Sequence, residues 1–206
     1  WYYIKCQTKA SCEVIQHDIS STEQQSVYKA KDPLFNFALS DDQKLLFLEL
    51  LVNNRVQLAQ VNLQQANNEP TFINAPAENN TLPTFSHDNK TLYFTRVENV
   101  FGGDMDIYKS ERKLDGSWGN PVNLGSPINT PGDEKSPFMH SDSHTLYFSS
   151  NYHIGLGGYD IFYSKMNDKT KLFNKPINIG NPINTLKDEH GFIVSKNGDK
   201  AYYGSD

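Results

Sequence analysis

Short runs of apolar and aromatic residues recur along the chain, separated by Asp, Asn, Ser and Gly. Residues 91–95 and 145–149 are β-branched and aromatic, which is typical of strands. Neighbouring positions in these runs are apolar on both faces, which predicts strands buried between stacked sheets. The pairs Asp88-Asn89 and Asn197-Gly198 predict tight hairpin turns, because these residues tolerate positive φ. The pattern predicts an all-β fold.

Three blocks of sequence return in the same order after 54 or 55 residues. Residues 83–94 return as 137–148, residues 103–108 as 157–162, and residues 121–130 as 176–185. Weaker copies begin at residues 37 and 192. Residues 45–51 would suit a helix by composition, but their place in the repeat favours a strand. A repeat of about 50 residues with four short strands is typical of a β-propeller blade.

We therefore predict a β-propeller of four-stranded antiparallel blades that forms an incomplete ring. The predicted bounds are a partial blade at 1–31, blades at 32–80, 81–134 and 135–189, and a partial blade at 190–206. The chain begins at Trp1 and ends at Asp206 within a repeat. We expect it to be a fragment of a longer protein, whose terminal sheets would present unpaired edges.

Composition narrows the classes of partner. With 206 residues, 37% of them hydrophobic, the chain is long enough to bury a core. A net charge of -5 argues against a general affinity for nucleic acid or for anionic membranes. No apolar run reaches about 18 residues, so we expect no membrane insertion by this chain. The repeated Gly pairs precede strands and not helices, so a phosphate loop is disfavoured and no cofactor is expected.

Three motifs carry a family resemblance: Ser-x-Asp-x-x-x-Leu-Tyr-Phe, Gly-Gly-Tyr-Asp-Ile-Phe and Pro-Ile-Asn-Thr-x-x-Asp-Glu. They resemble the WD-like, TolB-type propeller repeats of OmpA-family, peptidoglycan-associated lipoproteins of Bacteroidetes-type bacteria. The resemblance is close over residues 83–203 and looser over residues 1–80. It departs at the hairpins, where the family's Asp-Gly is Asp88-Asn89 and Asp142-Ser143.

The resemblance implies a periplasmic protein that is associated with the outer membrane through a lipid anchor outside this chain. Some members of the family resemble the component that ties the type IX secretion machinery to the cell wall. We therefore expect a scaffold that binds envelope proteins, in type IX secretion or in cell-envelope organisation. Peptidoglycan would be bound only by a domain absent from this chain.

Cysteine and histidine pairs are the candidates for a cross-link and a metal site. Cys6 and Cys12 flank a short polar segment between two predicted strands, so a disulfide would form in an oxidising compartment. The alternative is two separate core thiols. His140 and His144 have the spacing of a helical metal pair, but on a hairpin they need not share a face, so no metal is expected.

Catalysis is weighed because propellers include hydrolases. Residues 86–93 resemble the Asp-box of sialidases, with Lys in place of Gly and Tyr in place of Trp. Arg55, Arg96 and Arg112 do not hold equivalent repeat positions, and no Gly-x-Ser-x-Gly motif is present. We expect no catalytic residue and no enzymatic activity. The alternative is a carbohydrate-active, sialidase-like enzyme or a glycan-binding module.

Two sets of loop residues are predicted on one face of the propeller. The first set would be exposed binding residues or would tuck into their own blade: Phe101, Tyr152, His153 and Ile154. The second set would attract a cation or a basic segment, or would accept backbone hydrogen bonds that join one blade to the next: Asp133, Glu134, Asp188 and Glu189.

Overall fold

Every regular element in the described part of the chain is a β-strand, so the all-β prediction is confirmed. The computed structural model describes residues 2–8, 11–18, 20–40, 42–65, 68–73, 79–97 and 105–206. None of the described residues forms a helix that could cross a membrane.

The first compact unit is Trp1–Ala77, and it contains two antiparallel sheets. One has three strands in the order β1-β2-β3, and the other has four in the order β4-β5-β6-β7. The strands are β1 (Tyr2–Thr8), β2 (Ser11–His17), β3 (Gln24–Lys29), β4 (Leu34–Leu39), β5 (Leu45–Val52), β6 (Arg55–Asn62) and β7 (Thr71–Phe72). Strand β5 includes the residues whose composition alone suited a helix.

The second compact unit is Glu78–Asp206, with two four-stranded sheets and one two-stranded sheet. Their strands pair in chain order. The strands are β8 (Asn79–Phe85), β9 (Thr91–Val97), β10 (Met105–Glu111), β11 (Val122–Asn123), β12 (Glu134–Met139), β13 (Thr145–Ser150), β14 (Asp160–Lys165), β15 (Ile177–Asn178), β16 (Glu189–Val194) and β17 (Ala201–Ser205).

The antiparallel order brings several connections of the second unit to one end of its sheets. Glu134 pairs with Ser150, and Ser150 pairs with Asp160, so β12 and β14 begin where β13 ends. The Glu189 N–H donates to the Tyr159 carbonyl at 2.7 Å, which places the start of β16 there too. We call residues 130–134, 151–160, 185–189 and 206 the loop end of this unit. The hairpin turns at 86–91, 140–145 and 167–172 lie at the opposite, turn end.

Each unit has its own hydrophobic core. The first-unit core is formed by Cys12, Val14, Tyr28, Leu34, Leu46, Leu48, Leu50, Ala59 and Val61. One core cluster of the second unit is formed by Tyr93, Ile107, Ile128, Met139, Leu146, Phe148 and Phe162. These side chains come mainly from the middle strands of each sheet, which explains why those strands are apolar on both faces.

The first strand of each sheet in the second unit carries an irregularity at the same place. Leu82, Ser136 and Gly191 have φ values of 54°, 54° and 69°, in the left-handed region. Strand pairing shifts by one residue around each of them. A bulge of this kind bends the strand and increases its twist. The irregularity is therefore part of the repeat.

The hairpin turns use the residues that turn chemistry favours. Asn89 and Gly198 have φ values of 55° and 74° at the predicted turns. The Ser86 hydroxyl donates to Asp88 at 2.7 Å and accepts from the Thr91 N–H at 3.0 Å. The side chains thus close the turn that the sequence predicts.

Cys6 and Cys12 lie opposite each other on β1 and β2. A disulfide joins them, with an S–S distance of 2.08 Å. It cross-links the hairpin formed by β1 and β2.

Candidate functional site

Four large apolar side chains are exposed on two adjoining loops at the loop end of the second unit. Tyr152 is 59% exposed, Ile154 95%, Leu156 50% and Leu186 86%. The two loops that carry them touch, because a Cβ added at Gly157 would meet the backbone of Thr185 and Lys187. We call Tyr152, Ile154, Leu156 and Leu186 the apolar patch.

Polar side chains hold the loop that carries most of the patch. The Ser150 hydroxyl accepts hydrogen bonds from the N–H groups of Tyr152 and His153 at 3.2 and 3.3 Å. The same hydroxyl donates to Glu134 Oε1 at 2.6 Å. Ser150 and Glu134 are both buried, so the start of this loop is fixed to strand β12.

Asp160 fixes the other end of the loop. Its Oδ2 accepts hydrogen bonds from the Leu156 N–H at 2.7 Å and from the Gly157 N–H at 3.1 Å. A Cβ at Gly155 would clash with this carboxylate, so glycine is required for the close approach. Asp160 is 1% exposed. The loop is thus held by a buried carboxylate while its apolar side chains face solvent.

His153 lies inside the loop. Its ring is 5.9 Å from the Phe148 ring and 5.2 Å from the Phe162 ring, measured between centroids. Its Nε2 is 2.9 Å from the Ile128 carbonyl oxygen, which indicates that Nε2 carries the hydrogen. Of the apolar and aromatic candidates, the structure exposes Tyr152 and Ile154 and packs His153 against aromatic rings. Phe101 lies outside the described residues.

Asp133 and Asp188 each tie the start of one sheet to the third strand of the preceding sheet. Asp133 Oδ1 accepts a hydrogen bond from the Met105 N–H at 3.0 Å. Asp188 Oδ1 accepts one from the Tyr159 N–H at 2.9 Å. This is the structural alternative considered for these residues, in which carboxylates join neighbouring sheets through backbone donors.

Glu134 and Glu189 make a second repeated set of bonds. Glu134 accepts hydrogen bonds from the Thr130 N–H at 2.8 Å and the Thr130 hydroxyl at 2.6 Å. Glu189 accepts the matching bonds from Thr185 and a further one from the Ser205 hydroxyl. Both glutamates are fully buried. They fold the segment that enters each first strand onto that strand.

The two glutamates differ in their acidity. Burial raises the pKa of Glu134 above its usual value, against the hydrogen bonds from Ser150 and Thr130. Burial also acts to raise the pKa of Glu189, but the hydrogen bonds from Thr185 and Ser205 outweigh it and lower that pKa. The same residue type in the same position thus titrates differently because its surroundings differ.

Lys135 lies beside these carboxylates. Its Nζ is 3.5 Å from the centroid of the Tyr159 ring, a cation–π contact. The Tyr159 hydroxyl donates to Asp133 Oδ2 at 2.6 Å. Burial lowers the pKa of Lys135, and the charges of Asp188 and Asp133 act in the opposite direction. Lys135 is therefore a half-buried cation inside a mainly acidic end of the molecule.

The predicted histidine pair lies at the turn end. His140 Nδ1 is 3.3 Å from Asp142, and His144 Nε2 is 2.8 Å from Asp168. Each ring thus has its own carboxylate. Across the described ranges, no three His, Cys, Asp or Glu side chains are grouped as metal ligands.

A separate cleft of about 290 Å³ lies in the first unit. Its lining includes β3 residues, Asn68 and the ion-paired side chains of Lys31 and Glu69. None of the residues predicted to bind or react lines it.

Solved structures similar to this chain include TolB and propeller-like proteins named as lactonases. No family model and no curated protein matches the chain. TolB from Acinetobacter baumannii matches 98% of the chain with a TM-score of 0.69 and 16% identity, over 46% of its own length. The periplasmic gluconolactonase of Pseudomonas aeruginosa matches 98% of the chain with a TM-score of 0.62 and 13% identity, over 60% of its length. A putative 6-phosphogluconolactonase from Bacteroides fragilis has a TM-score of 0.52 and 16% identity, with 98% of this chain and 62% of that one covered.

These likenesses establish the β-propeller fold and the TolB-type resemblance. Because the sequence identity is so low, these similarities are evidence for the fold and not for a function. The chain spans about half of the length of TolB, the first of these structures.

The expectation that the chain has no enzymatic activity is wrong, because enzymes are among the proteins with a similar fold. Proteins named as a gluconolactonase and as putative 6-phosphogluconolactonases have a fold similar to that of this chain. The expectation rested on missing sialidase and Ser-hydrolase motifs, which represent only two chemistries. A propeller scaffold is compatible with other sets of loop residues, so the absence of those motifs does not exclude catalysis.

Sequence reasoning missed Leu156 and Leu186 as members of the patch. Leu186 replaces Pro131 of the preceding repeat, and Leu156 lies in a Gly-rich loop. The available signal in the sequence was a leucine at a loop position where the other copy of the repeat has a different kind of residue. Ser150 and Asp160 were also missed, because their roles depend on which backbone groups the folded loop brings near them.

Proposed function

We propose that this chain is the protein-binding region of a periplasmic β-propeller protein, and that it docks polypeptide partners on the apolar patch. The observation that carries the proposal is the exposure of Tyr152, Ile154, Leu156 and Leu186 on two adjoining loops. Contiguous exposed apolar surface on a folded domain commonly marks an interaction site.

The way the loop is held supports this proposal. Ser150 and Asp160 bind its backbone, and His153 packs inward, so the polar groups are used for anchoring. A loop that only joined two strands would gain stability by turning its apolar side chains inward. A rigid loop also reduces the entropy cost of binding, since its conformation is already fixed.

The periplasmic part of the proposal rests on three supports. One similar structure is a periplasmic gluconolactonase, and another is TolB. The Cys6–Cys12 disulfide suits an oxidising compartment. The repeat motifs in residues 83–203 resemble those of OmpA-family lipoproteins. We therefore propose an envelope scaffold of that family, acting in type IX secretion or cell-envelope organisation, with its lipid anchor and peptidoglycan-binding domain outside this chain.

Site-specific photo-crosslinking tests the docking surface directly. A photoreactive amino acid is placed at Tyr152 in one variant and at Leu172 in another, in the full-length protein in its native envelope. Leu172 is 68% exposed at the turn end and serves as the matched position. We expect a discrete crosslinked partner from position 152 and none from position 172.

The double variant Ile154→Asp, Leu186→Asp is the second part of this crosslinking test. Both side chains are exposed, so the fold should persist, as circular dichroism would show. We expect the crosslink from position 152 to fall at least about tenfold, because loss of central apolar contacts costs more than about 1 kcal/mol each. Leu172→Asp should leave it unchanged. An equal yield from all variants would contradict the proposed surface.

A further inference from the structure

We propose that the apolar patch takes a short polypeptide segment in which Lys or Arg side chains flank apolar ones. This inference rests on the proposed function and specifies the partner. Two observations carry it, the charge around the patch and the size of its apolar surface.

Acidic residues outnumber basic ones at the loop end. Among its described residues, the loop end contains six carboxylates and one lysine, Lys187, and Lys135 directly follows it on strand β12. The carboxylates are Asp133, Glu134, Asp160, Asp188, Glu189 and Asp206. Two of them lie against the loop that carries most of the patch: Asp160 Oδ2 accepts hydrogen bonds from the Leu156 and Gly157 N–H groups, and Asp188 Oδ1 accepts one from the Tyr159 N–H. Opposite charge on a partner would steer it to this end of the molecule.

Within the described part of the chain, none of the six carboxylates lies within ion-pair distance of a lysine or arginine. Asp133, Asp160 and Glu189 instead accept hydrogen bonds from N–H or O–H groups. These donors carry no net charge, so the hydrogen bonds do not cancel the charge of a carboxylate.

Two of these carboxylates are buried, so dissolved salt screens their charges less than it screens exposed charges. Asp160 is 1% exposed and Glu189 is fully buried, so counter-ions cannot approach them closely. The hydrogen bonds that lower the pKa of Glu189 keep it ionised at neutral pH. Lys135 offsets part of the charge of Asp188, Asp133 and Asp206, and the exposed Lys187 follows Leu186 in the chain.

The apolar area suits a segment better than a folded domain or a second copy of this chain. Four exposed apolar side chains offer about a few hundred Å², which is the size of the largest apolar patch on a typical monomer. A stable pair of globular proteins buries about 800 Å² on each partner. A short segment can fill the patch with two or three side chains and place its basic groups over the nearby carboxylates.

Fluorescence anisotropy with two synthetic probes tests the inference on the purified chain. The basic probe is the fluorescein-labelled peptide Lys-Leu-Lys-Tyr-Gly-Leu-Arg-Phe-Lys. The acidic probe has Glu in place of every Lys and Arg, so its apolar residues are the same. We expect the basic probe to bind at least about tenfold more tightly at low ionic strength. The difference should shrink in about 0.5 M NaCl.

Two kinds of variant separate the contribution of apolar contacts to binding from the contribution of charge. Ile154→Asp with Leu186→Asp should abolish binding of the basic probe at about 0.5 M NaCl, where the apolar contacts dominate. Asp188→Asn keeps an oxygen to accept the Tyr159 N–H and removes one charge, so it should reduce the preference for the basic probe about two- to fivefold. Leu172→Asp at the turn end is the control and should change neither value.

The outcomes are distinct. Equal affinity for both probes, or binding that survives the double Asp substitution, would overturn the inference. Failure of the basic probe to bind would also overturn it, as would sedimentation showing a dimer that the double substitution dissociates. In each case the crosslink from position 152 still decides the proposed function independently.

Discussion

Repeated side chains in the second unit bind the backbone in the same way in each copy. Asn129 Oδ1 accepts from the Ile107 N–H at 3.0 Å, and its Nδ2 donates to the Ile107 carbonyl at 2.9 Å. Asn184 makes the same two bonds to Ile161, both at 2.8 Å. Each asparagine therefore acts as an extra strand residue beside the third strand of its sheet. This accounts for the Pro-Ile-Asn-Thr motif.

Asp142, at the turn end, makes a pH-dependent contribution to the stability of the folded chain. Burial acts to raise its pKa, but hydrogen bonds from His144 and Thr145 outweigh it and lower the pKa from 3.8 to about 2. Because the folded pKa is depressed, the stabilisation is present above pH 3.8 and is lost as the pH falls towards 2. We expect Asp142→Asn to be less stable than the native chain at pH 7 and equal to it near pH 2.

Urea denaturation at the two pH values measures this difference. Asp168→Asn is the control, because its carboxylate lies at the same end and is 79% exposed. It should change stability little at either pH. A difference for Asp142→Asn that persists at pH 2 would contradict the assigned hydrogen bonds.

At the scale of elements, turns were predictable and bulges were not. Asp88-Asn89 identifies its own turn, since Asn89 tolerates a φ of 55°. Leu82 and Ser136 adopt φ values of 54°, although neither residue type favours the left-handed region. The twist and pairing of the sheet impose that conformation, and a local sequence window does not contain them. Only Gly191, in the third copy, carries a visible signal.

Gly191 tests the bulge. A Cβ added there has nothing within 4 Å, so Gly191→Ala changes only the backbone preference. At a φ of 69° we expect a loss of about 1 kcal/mol in the free energy of unfolding. Ser136→Ala is the matched control, since residue 136 already carries a Cβ at a φ of 54°. Equal losses for both variants, by urea denaturation, would argue against backbone strain as the cause.

The whole chain consists of repeated sheets whose strands mostly contact strands near them in sequence. Such repeat proteins are stabilised by contacts within each unit and between neighbours. The order of the sequence blocks was therefore enough to predict the fold class. The exposed patch was predictable only in part, because exposure of Leu156 and Leu186 depends on how Gly157 packs against the segment 185–187.

A core leucine in each unit provides a test of that unit's packing. Leu48 lies in the first-unit core and Leu146 in a second-unit core, and both are fully buried. We expect each Leu→Ala change to cost about 2–5 kcal/mol in its own unit. Hydrogen exchange read by mass spectrometry should show faster exchange within 1–77 for Leu48→Ala and within 78–206 for Leu146→Ala. Unchanged exchange in the variant's own unit would contradict the assigned core residue.

The anchoring of the loop by Ser150 and Asp160 has an evolutionary and practical consequence. These two residues bind main-chain atoms, so they hold the loop regardless of which side chains stand at positions 152, 154, 156 and 186. Recognition can then diverge by substitution at four surface positions without loss of foldability. The same division makes these positions suitable for randomisation in a display library, with the propeller serving as an inert carrier for new binding specificities.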